Sequence, residues 1–216
     1  MSFIDGATEV YHRLAAEYDG WFEGSPVFAA ELACLKSIRT SLPEPRLEIG
    51  VGPGRFAAGL GVGLGVDGAF APLRFAAGRG IAACQADAAQ LPLADGCVGT
   101  VYLLFTLCFL RRPERALAEI RRVLAVGGRL AAAIIVADSP WGEAVQAGRA
   151  EGHPYYRHAR LYTVAEAREM LRAAGLGIVE ERSTLLQPPG GRLDGRCLDR
   201  IAAGAGCGVL VAGKDA

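Results

Sequence analysis

The sequence predicts one α/β domain built on a doubly wound, seven-stranded, mainly parallel sheet. Short apolar runs alternate with helix-like patterns along the chain, and a glycine-rich loop follows the first of these runs. The length of 216 residues, of which 51% are hydrophobic, is sufficient for one such domain with a full core. Ligands bind beyond the carboxyl ends of the strands in sheets of this kind, so the functional residues are expected at that edge.

The chain opens with a helical part, because apolar residues recur at helix-like spacing over residues 4–22 and 27–38. Short apolar runs bounded by turns then predict strands over residues 47–49, 63–67, 81–85, 100–105, 129–136, 178–187 and 208–212. Helical patterns between these strands predict helices over residues 70–77, 113–124 and 163–174. This alternation is typical of a Rossmann-like sheet.

Local signals mark where several of these elements begin and end. Gly127 and Gly128 are expected to stop the helix before the fifth strand, and Gly175 to cap the helix before the sixth. Thr163 and Glu166 have the spacing of a capping box, which opens that last helix. The connection over residues 187–206 is rich in Pro, Gly and Arg and is predicted to be a loop with one short helix.

The rhythm of strands and helices is lost over residues 137–162, which are polar and aromatic. A long irregular stretch in a compact domain is more often functional than idle, so we predict a lid there. The single domain, residues 1–216, is therefore divided into an N-terminal helical cover (1–40), a ligand-binding core (41–136), the lid insertion (137–162) and the C-terminal helix and strands (163–216).

Composition and charge exclude several classes of protein. Lys plus Arg and Asp plus Glu are 23 each, and this balance lacks the basic excess of duplex-binding proteins. No basic segment precedes an apolar run at the N-terminus, and the longest uncharged apolar stretch, residues 101–110, is about half of what spans a bilayer. We therefore expect a cytoplasmic protein that binds neither nucleic acid nor membrane. The oligomeric state is not predicted.

The cysteines are scattered, and no two of them have the C-x-x-C spacing of a zinc ribbon or a redox site. They lie at positions 34, 84, 97, 108, 197 and 207. In the cytosol each is expected to be a small buried apolar residue. The histidines and cysteines match no ligand spacing, so no metal is predicted.

The strongest signal is a glycine loop at the end of the first predicted strand. Gly50, Gly52 and Gly54 alternate there, and without a Cβ they let the backbone turn sharply and approach a ligand closely. A dinucleotide site requires G-x-G-x-x-G, but its third position is Arg55 here. The pattern E-x-G-x-G-x-G, which begins at Glu48, is complete.

At this point the chain resembles class I S-adenosylmethionine-dependent methyltransferases. The resemblance rests on the order and spacing of residues 48–56, the acidic strand end at Asp67, residues 87–93 before Asp95, and residues 113–124 with the two glycines that follow. The opening residues 11–22, with Tyr18 and Asp19, resemble the small-molecule branch related to quinone C-methyltransferases. Compact bacterial members labelled histamine N-methyltransferase-like are similar in length.

The resemblance implies S-adenosylmethionine as the cofactor and a role for each matching residue. The three loop glycines would line its methionine part, Glu48 would orient the ammonium, and Asp67 would accept the two ribose hydroxyls. Asp87 and Ala88 would meet the adenine, while Phe105 and Thr106 would flank the sulfonium. The full set of expected cofactor-binding residues is Tyr18, Glu48, Gly50, Gly52, Gly54, Asp67, Gly68, Asp87, Ala88, Phe105 and Thr106.

The methyl acceptor is expected between the lid and the N-terminal helix, because aromatic rings with polar tips there suit a small molecule. The expected substrate-binding residues are Tyr11, Cys108, Tyr155, Tyr156 and His158. A catalytic base is not identified; His153, His158 and Tyr155 are its candidates, since histidine takes up a proton near neutral pH.

The sequence thus predicts methyl transfer by in-line displacement to a small molecule whose identity and acceptor atom it leaves open. Two alternatives stay open as well. A regulatory module would bind the cofactor without turnover, and an NAD-dependent oxidoreductase would use the same loop for a dinucleotide, although Arg55 disfavours it.

Overall fold

The computed structural model describes residues 6–214, and these form seven strands in one sheet. The strands are β1 (Arg46–Ile49), β2 (Leu64–Asp67), β3 (Ala82–Gln85), β4 (Val98–Leu104), β5 (Leu124–Ile135), β6 (Leu176–Thr184) and β7 (Cys207–Lys214). Their order across the sheet is β3-β2-β1-β4-β5-β7-β6. The first five are parallel, and β7 is antiparallel to both of its neighbours. The predicted doubly wound, mainly parallel sheet is confirmed.

Helices cover both faces of this sheet. They are α1 (Gly6–Arg13), α2 (Ala15–Gly20), α3 (Pro26–Lys36), α4 (Arg55–Leu60), α5 (Phe70–Gly78), α6 (Pro113–Val123), α7 (Pro140–Ala150) and α8 (Val164–Ala173). All of β4 is buried, with Val101 and Leu103 in the core on one face and Tyr102 and Leu104 in the core on the other. No helix in the described part of the chain is long and apolar enough to cross a membrane.

The strand order reverses between β1 and β4, which are direct neighbours although β2 and β3 intervene in the sequence. The chain leaves β1 towards one edge of the sheet and returns at β4 to build the other half. The loops that leave the carboxyl ends of these two strands therefore diverge and open a crevice. The glycine loop follows β1 at this crevice.

Several predicted elements have different bounds in the structure. The predicted helix over residues 4–22 is two helices, because the chain breaks at Leu14; residues 4 and 5 lie outside the described residues. Gly127 and Gly128 do not stop a helix: α6 has already ended at Val123, and both glycines lie within β5. Residues 187–206, all described, contain no helix.

The prediction of an irregular lid over residues 137–162 is wrong in its secondary structure, since α7 occupies eleven of these residues. A local signal for this helix was present in the sequence. The side chain of Ser139 accepts a hydrogen bond from the backbone N–H of Gly142, and Pro140 occupies the first turn, where its missing N–H costs nothing. The capping box of Thr163 and Glu166 is confirmed at the start of α8.

The expectation that every cysteine is a small buried apolar residue is also corrected. Cys34 on α3 and Cys197 form a disulfide that joins this helix to the connection between β6 and β7. Cys84 and Cys97 are exposed, and Cys207 is buried as expected. The pairing could not be read from the sequence because 163 residues separate the two partners.

Candidate active site

A cavity of about 650 Å³ opens beyond the carboxyl ends of β1, β2 and β4, at the reversal of strand order. The glycine loop, the end of β2 and the start of the loop after β4 form one side of it, which we call the floor (residues 48–53, 66–69 and 104–106). Aromatic side chains from the N-terminal helices form the other side, which we call the roof (Tyr11, Tyr18 and Phe22). The cavity thus lies where the sequence predicts it.

The glycines of the floor serve two different purposes. Gly50 has φ +74°, and a Cβ at this position would overlap the side chain of Thr106. Gly52 has φ +49°, and a Cβ at this position would lie 3.6 Å from the ring of Tyr18 in the roof, which is ordinary van der Waals contact. Gly54 does not line the cavity: a Cβ there would lie 2.5 Å from Ile81 and 3.0 Å from Ala76. Its missing side chain therefore lets α4 begin close to α5.

Asp67 ends β2 and holds the floor together. Its carboxylate accepts the backbone N–H of Gly52 at 2.8 Å and that of Ala69 at 2.7 Å. Burial raises the pKa of this carboxyl above its ordinary value, although these two hydrogen bonds act in the opposite direction. Gly68 lines the cavity beside it and packs on Thr8 of α1. A carboxylate has about four acceptor positions, so Asp67 retains capacity for a ligand.

Glu48 is the most unusual group in the floor. The residue is only 2% exposed, and its Oε2 atom is buried without a hydrogen-bond partner. Burial and the nearby charge of Asp67 raise the pKa of Glu48 well above its ordinary value. An unpaired buried carboxyl oxygen is costly, so this position favours a ligand that brings a cation or a hydrogen-bond donor. The residues of the floor therefore fit the amino-acid part of S-adenosylmethionine.

The loop after β4 is bent sharply at the floor. Phe105 has φ +53°, a conformation that a bulky residue adopts only when its surroundings enforce it, and its N–H donates to the carbonyl of Ala133 at 2.8 Å. The bend turns Thr106 towards Gly50, and the Thr106 hydroxyl donates to the carbonyl of Leu104. Both residues line the cavity, as predicted.

The end of the cavity next to α6 is polar. Asp87 and Ala88 line it, and the Asp87 carboxylate accepts the N–H of Ala89 at 2.8 Å. Arg112 lies 3.8 Å from the other Asp87 oxygen and is half-exposed. Asp87 therefore keeps an accessible oxygen at the position where the resemblance expects the adenine.

The roof is an interlocked set of rings. Tyr11 and Tyr18 meet edge to face with their centroids 4.9 Å apart, and Phe22 packs on Tyr18 at 5.3 Å. Burial is the main reason why the pKa of both tyrosines is raised, so the hydroxyls stay protonated at neutral pH. Edge-to-face packing of this kind stabilises a rigid apolar wall.

An ion-pair cluster that sequence reasoning missed joins the roof to the floor. Asp19 on α2 receives two hydrogen bonds from Arg55, at 2.7 and 2.8 Å, and Arg79 lies 2.9 Å from the same carboxylate. Burial raises the pKa of Asp19, but the two guanidinium groups outweigh it and the net shift is downward. The only sequence signal for this contact was the arginine at position 55, which stands where a dinucleotide site requires glycine.

The aromatic residues of 137–162 lie behind the roof, and none of them is among the residues that line the cavity. Tyr155 is 1% exposed, packs on Trp21 at 4.5 Å and donates its hydroxyl to the carbonyl of Leu14 at 3.2 Å. It therefore supports the N-terminal helices from outside the cavity. The predicted cover over the ligand consists of α1, α2 and Phe22, with residues 137–162 as its support.

The other predicted acceptor residues from 137–162, and Cys108 in the loop after β4, are also not among the residues that line the cavity. His153 stacks on Tyr156 with ring centroids 4.2 Å apart, and its Nδ1 atom is buried without a partner. His158 accepts a hydrogen bond from Arg157, and the thiol of Cys108 donates to the carbonyl of Phe105 at 3.3 Å. Of the predicted acceptor residues, Tyr11 lines the cavity. Within residues 6–214, no three His, Cys, Asp or Glu side chains are arranged to hold a metal ion.

Comparisons with known proteins agree with this architecture. Residues 47–132, which span the floor and β1 to β5, match a methyltransferase domain family. An uncharacterised protein of Mycobacterium tuberculosis is 40% identical over 205 residues, which cover 93% of this chain and 72% of that protein.

Solved structures extend the likeness to the whole chain. A Thermotoga maritima protein, described as an S-adenosylmethionine-dependent methyltransferase and possible histamine N-methyltransferase, superimposes with a TM-score of 0.85 at 28% identity, covering 97% of this chain and 100% of its own. A chain from the complex of the Haloferax volcanii Trm112 activator with a methyltransferase shares the fold, with a TM-score of 0.74 at 20% identity, covering 95% and 98%. The present chain therefore contains a methyltransferase domain over residues 47–132 and has the class I fold of S-adenosylmethionine-dependent methyltransferases, and it belongs to one family with the uncharacterised Mycobacterium tuberculosis protein.

Proposed function

We propose that the protein binds S-adenosylmethionine in this cavity and transfers its methyl group to a small-molecule acceptor. The observation that carries the proposal is the buried Oε2 atom of Glu48, which has no hydrogen-bond partner beneath the glycine loop. A cofactor with an ammonium group would satisfy it, whereas the pyrophosphate of NAD would bring negative charge towards Glu48 and Asp67. A place beside the quinone C-methyltransferases stays a prediction from Tyr18 and Asp19.

The residues of the floor would hold the cofactor by its polar groups. Gly50 and Gly52 would admit the methionine part, and Glu48 would accept from its ammonium group. Asp67, already fixed by two backbone N–H groups, would present its free acceptor positions to the ribose hydroxyls. Asp87 would accept from the adenine amine. The bound cofactor supplies a methyl group that is electrophilic because its sulfur is positively charged.

The roof and the loop after β4 would prepare the acceptor. Tyr11, Tyr18 and Phe22 cover the cavity and exclude water, which would otherwise compete with a small nucleophile. The enforced bend at Phe105 holds Thr106 against Gly50 and so keeps the floor in one conformation. Holding two reactants in one orientation lowers the barrier without a catalytic side chain.

Calorimetric titration of the full chain with S-adenosylmethionine, S-adenosylhomocysteine and NAD tests the binding step. We expect both sulfur compounds to bind and NAD not to bind; the reverse pattern would refute the proposal. Transfer of a labelled methyl group to pooled small-molecule acceptors then tests turnover. Cofactor binding without transfer to any acceptor would favour the regulatory alternative instead.

A further inference from the structure

Two neighbouring arginines line the polar end of the cavity, and their guanidinium groups make no hydrogen bond within residues 6–214. The side chain of Arg111 also forms no ion pair in that part of the chain. Arg112 lies 3.8 Å from a carboxylate oxygen of Asp87, which is beyond hydrogen-bond distance, and its side chain is half-exposed. Both arginines therefore keep their donors available for a ligand in the cavity.

The other charges that line the cavity do not balance these two arginines. Arg55 donates two hydrogen bonds to Asp19 and one to Glu23, so its own charge is already paired. Among the described residues that line the polar end, Asp87 supplies one negative charge against two positive ones. This end of the cavity therefore carries an excess of positive charge, which an anionic ligand would balance.

The position of the two arginines in the chain opposes local preference. Arg112 is the N-cap residue of α6, where Ser, Thr, Asp or Asn would accept a backbone N–H, and its side chain makes no capping bond. The positive charges of Arg111 and Arg112 also lie next to the positive end of the α6 dipole. Proteins break such local rules mainly at functional sites, so this arrangement agrees with a role for both side chains in the cavity.

The loop after β4 connects the arginines to the place expected for the sulfonium. Residues 105–106 begin this loop at the floor, and Phe109 and Leu110, which also line the cavity, lie between them and Arg111 in the chain. Tyr11 of the roof meets Phe109 edge to face, with the ring centroids 5.4 Å apart. This stretch of the lining is therefore apolar in its middle and cationic at the end away from residues 105–106.

We propose that Arg111 and Arg112 bind an anionic group, a carboxylate or a phosphate, on the methyl acceptor. The inference rests on the proposed function and names the substrate class of the same cavity. The acceptor is a small acid whose apolar body lies along Phe109 and Leu110, with its nucleophile towards residues 105–106. Planar guanidinium groups match the oxygens of a carboxylate or a phosphate in geometry and charge, whereas the two arginines repel a cation at this end.

The experiment uses the full chain saturated with S-adenosylhomocysteine. Each acid is titrated beside a neutral compound of the same skeleton: 3-phenylpropanoate with 3-phenylpropanamide, octanoate with octanamide, and phenyl phosphate with phenol. We expect at least one acid to bind roughly 10- to 100-fold more tightly than its neutral counterpart, as hydrogen bonds between charged groups predict. The double variant Arg111→Gln/Arg112→Gln should abolish this preference and leave the affinity for the neutral compound unchanged.

Arg115→Gln is the matched control and should keep the preference, because it removes an exposed arginine of α6 that is not among the residues lining the cavity. If no acid binds more tightly than its neutral counterpart, or if the preference survives in the double variant, the inference is overturned. Equal loss in Arg115→Gln would also overturn it, because the effect would then come from general surface charge.

Titration of S-adenosylhomocysteine alone comes first and separates the two proposals. Failure of that titration in the unmodified chain refutes the proposed function. Normal cofactor binding without a preference for acids refutes the role of Arg111 and Arg112 alone.

Discussion

The floor of the cavity is backbone from three strand ends held by carboxylates, whereas the roof is a set of aromatic side chains from helices at the start of the chain. In the floor, Asp67 bonds two backbone N–H groups and Glu48 leaves one oxygen unpaired. In the roof, Tyr11 and Tyr18 contact each other and Tyr155, a residue about 140 positions away. The floor is polar and locally encoded, and the roof is apolar and assembled from distant segments.

This difference assigns the two halves different tasks. Fixed N–H groups, carboxylates and glycine bends recognise one ligand of constant chemistry, which fits a cofactor. A wall of rings excludes water and selects by shape, which under the proposed function would suit the methyl acceptor. Mutations in the floor should therefore change cofactor affinity, and mutations behind the roof should change stability and the closure of the cavity.

The largest effect is expected from Asp67→Ala. Loss of two charge-assisted hydrogen bonds to the ribose costs about 1.5–3 kcal/mol each, so the affinity for S-adenosylhomocysteine should fall roughly 100-fold or more. Calorimetry measures it, with the exposed Asp138→Ala as the control. An unchanged dissociation constant would show that Asp67 only supports the loop through Gly52 and Ala69.

Gly50→Ala separates steric conflict from backbone strain. A methyl group at Gly50 would overlap Thr106, whose Cβ cannot rotate away, and φ is +74°. Strain of about 1 kcal/mol and overpacking of about 1–3 kcal/mol should add, and the floor should lose cofactor affinity. Gly61→Ala is the matched control, since φ is +69° there and nothing lies within 4 Å. Equal losses of unfolding free energy in the two variants would contradict the overlap.

A third prediction concerns the anchor of α3 at the side of the roof. Glu180 on β6 accepts the N–H groups of Arg39 and Thr40, just beyond the end of this helix, and pairs with Arg182 at 2.7 Å. Burial alone would raise the pKa of Glu180, but these bonds lower it to about 2. The native state therefore binds fewer protons than the unfolded chain between about pH 4.5 and 2.

This difference in bound protons sets the direction in which stability changes with pH. The stabilisation by Glu180, at most about 3 kcal/mol, is complete above pH 4.5 and is lost as the pH falls towards 2. Glu180→Gln should lower the free energy of unfolding at pH 7 and flatten its dependence on pH in that window. Urea unfolding at several pH values measures both. A variant with the native pH dependence would show that other carboxyls cause it.

The smallest effect is expected from Tyr155→Phe. The change removes the hydrogen bond to the carbonyl of Leu14 and a long one, 3.5 Å, to the carboxylate of Glu17, and keeps the packing on Trp21, so it should cost about 0.5–1.5 kcal/mol. Hydrogen exchange in α1 and α2 should become faster, while cofactor affinity changes by less than about threefold. Tyr162→Phe is the control, because Tyr162 is a buried residue whose hydroxyl bonds to no residue between 6 and 214. Faster exchange in both variants would argue against a specific support of the roof.

Most of the fold could be predicted because its signals are short-ranged. The strand that ends at Asp67, the helix predicted over residues 70–77 and the capping box of Thr163 each follow from neighbouring residues. Helix α7 was not predicted, which shows that the spacing of apolar residues does not by itself reveal every helix. Its N-cap residue, Ser139, could be recognised in the sequence, but the many polar and aromatic residues around it led to the prediction of a loop.

The sequence by itself determined most of the floor: the glycine turn and the acidic strand end at Asp67 follow from a few adjacent residues and from the parallel sheet. The tertiary structure alone decided the roof, the pairing of Asp19 with Arg55 and the burial of Glu48 with one oxygen unpaired. The physical reason is the distance along the chain between the residues that determine each feature. A backbone turn depends on residues next to one another, whereas enclosure of a side chain depends on segments that meet only after the sheet has formed.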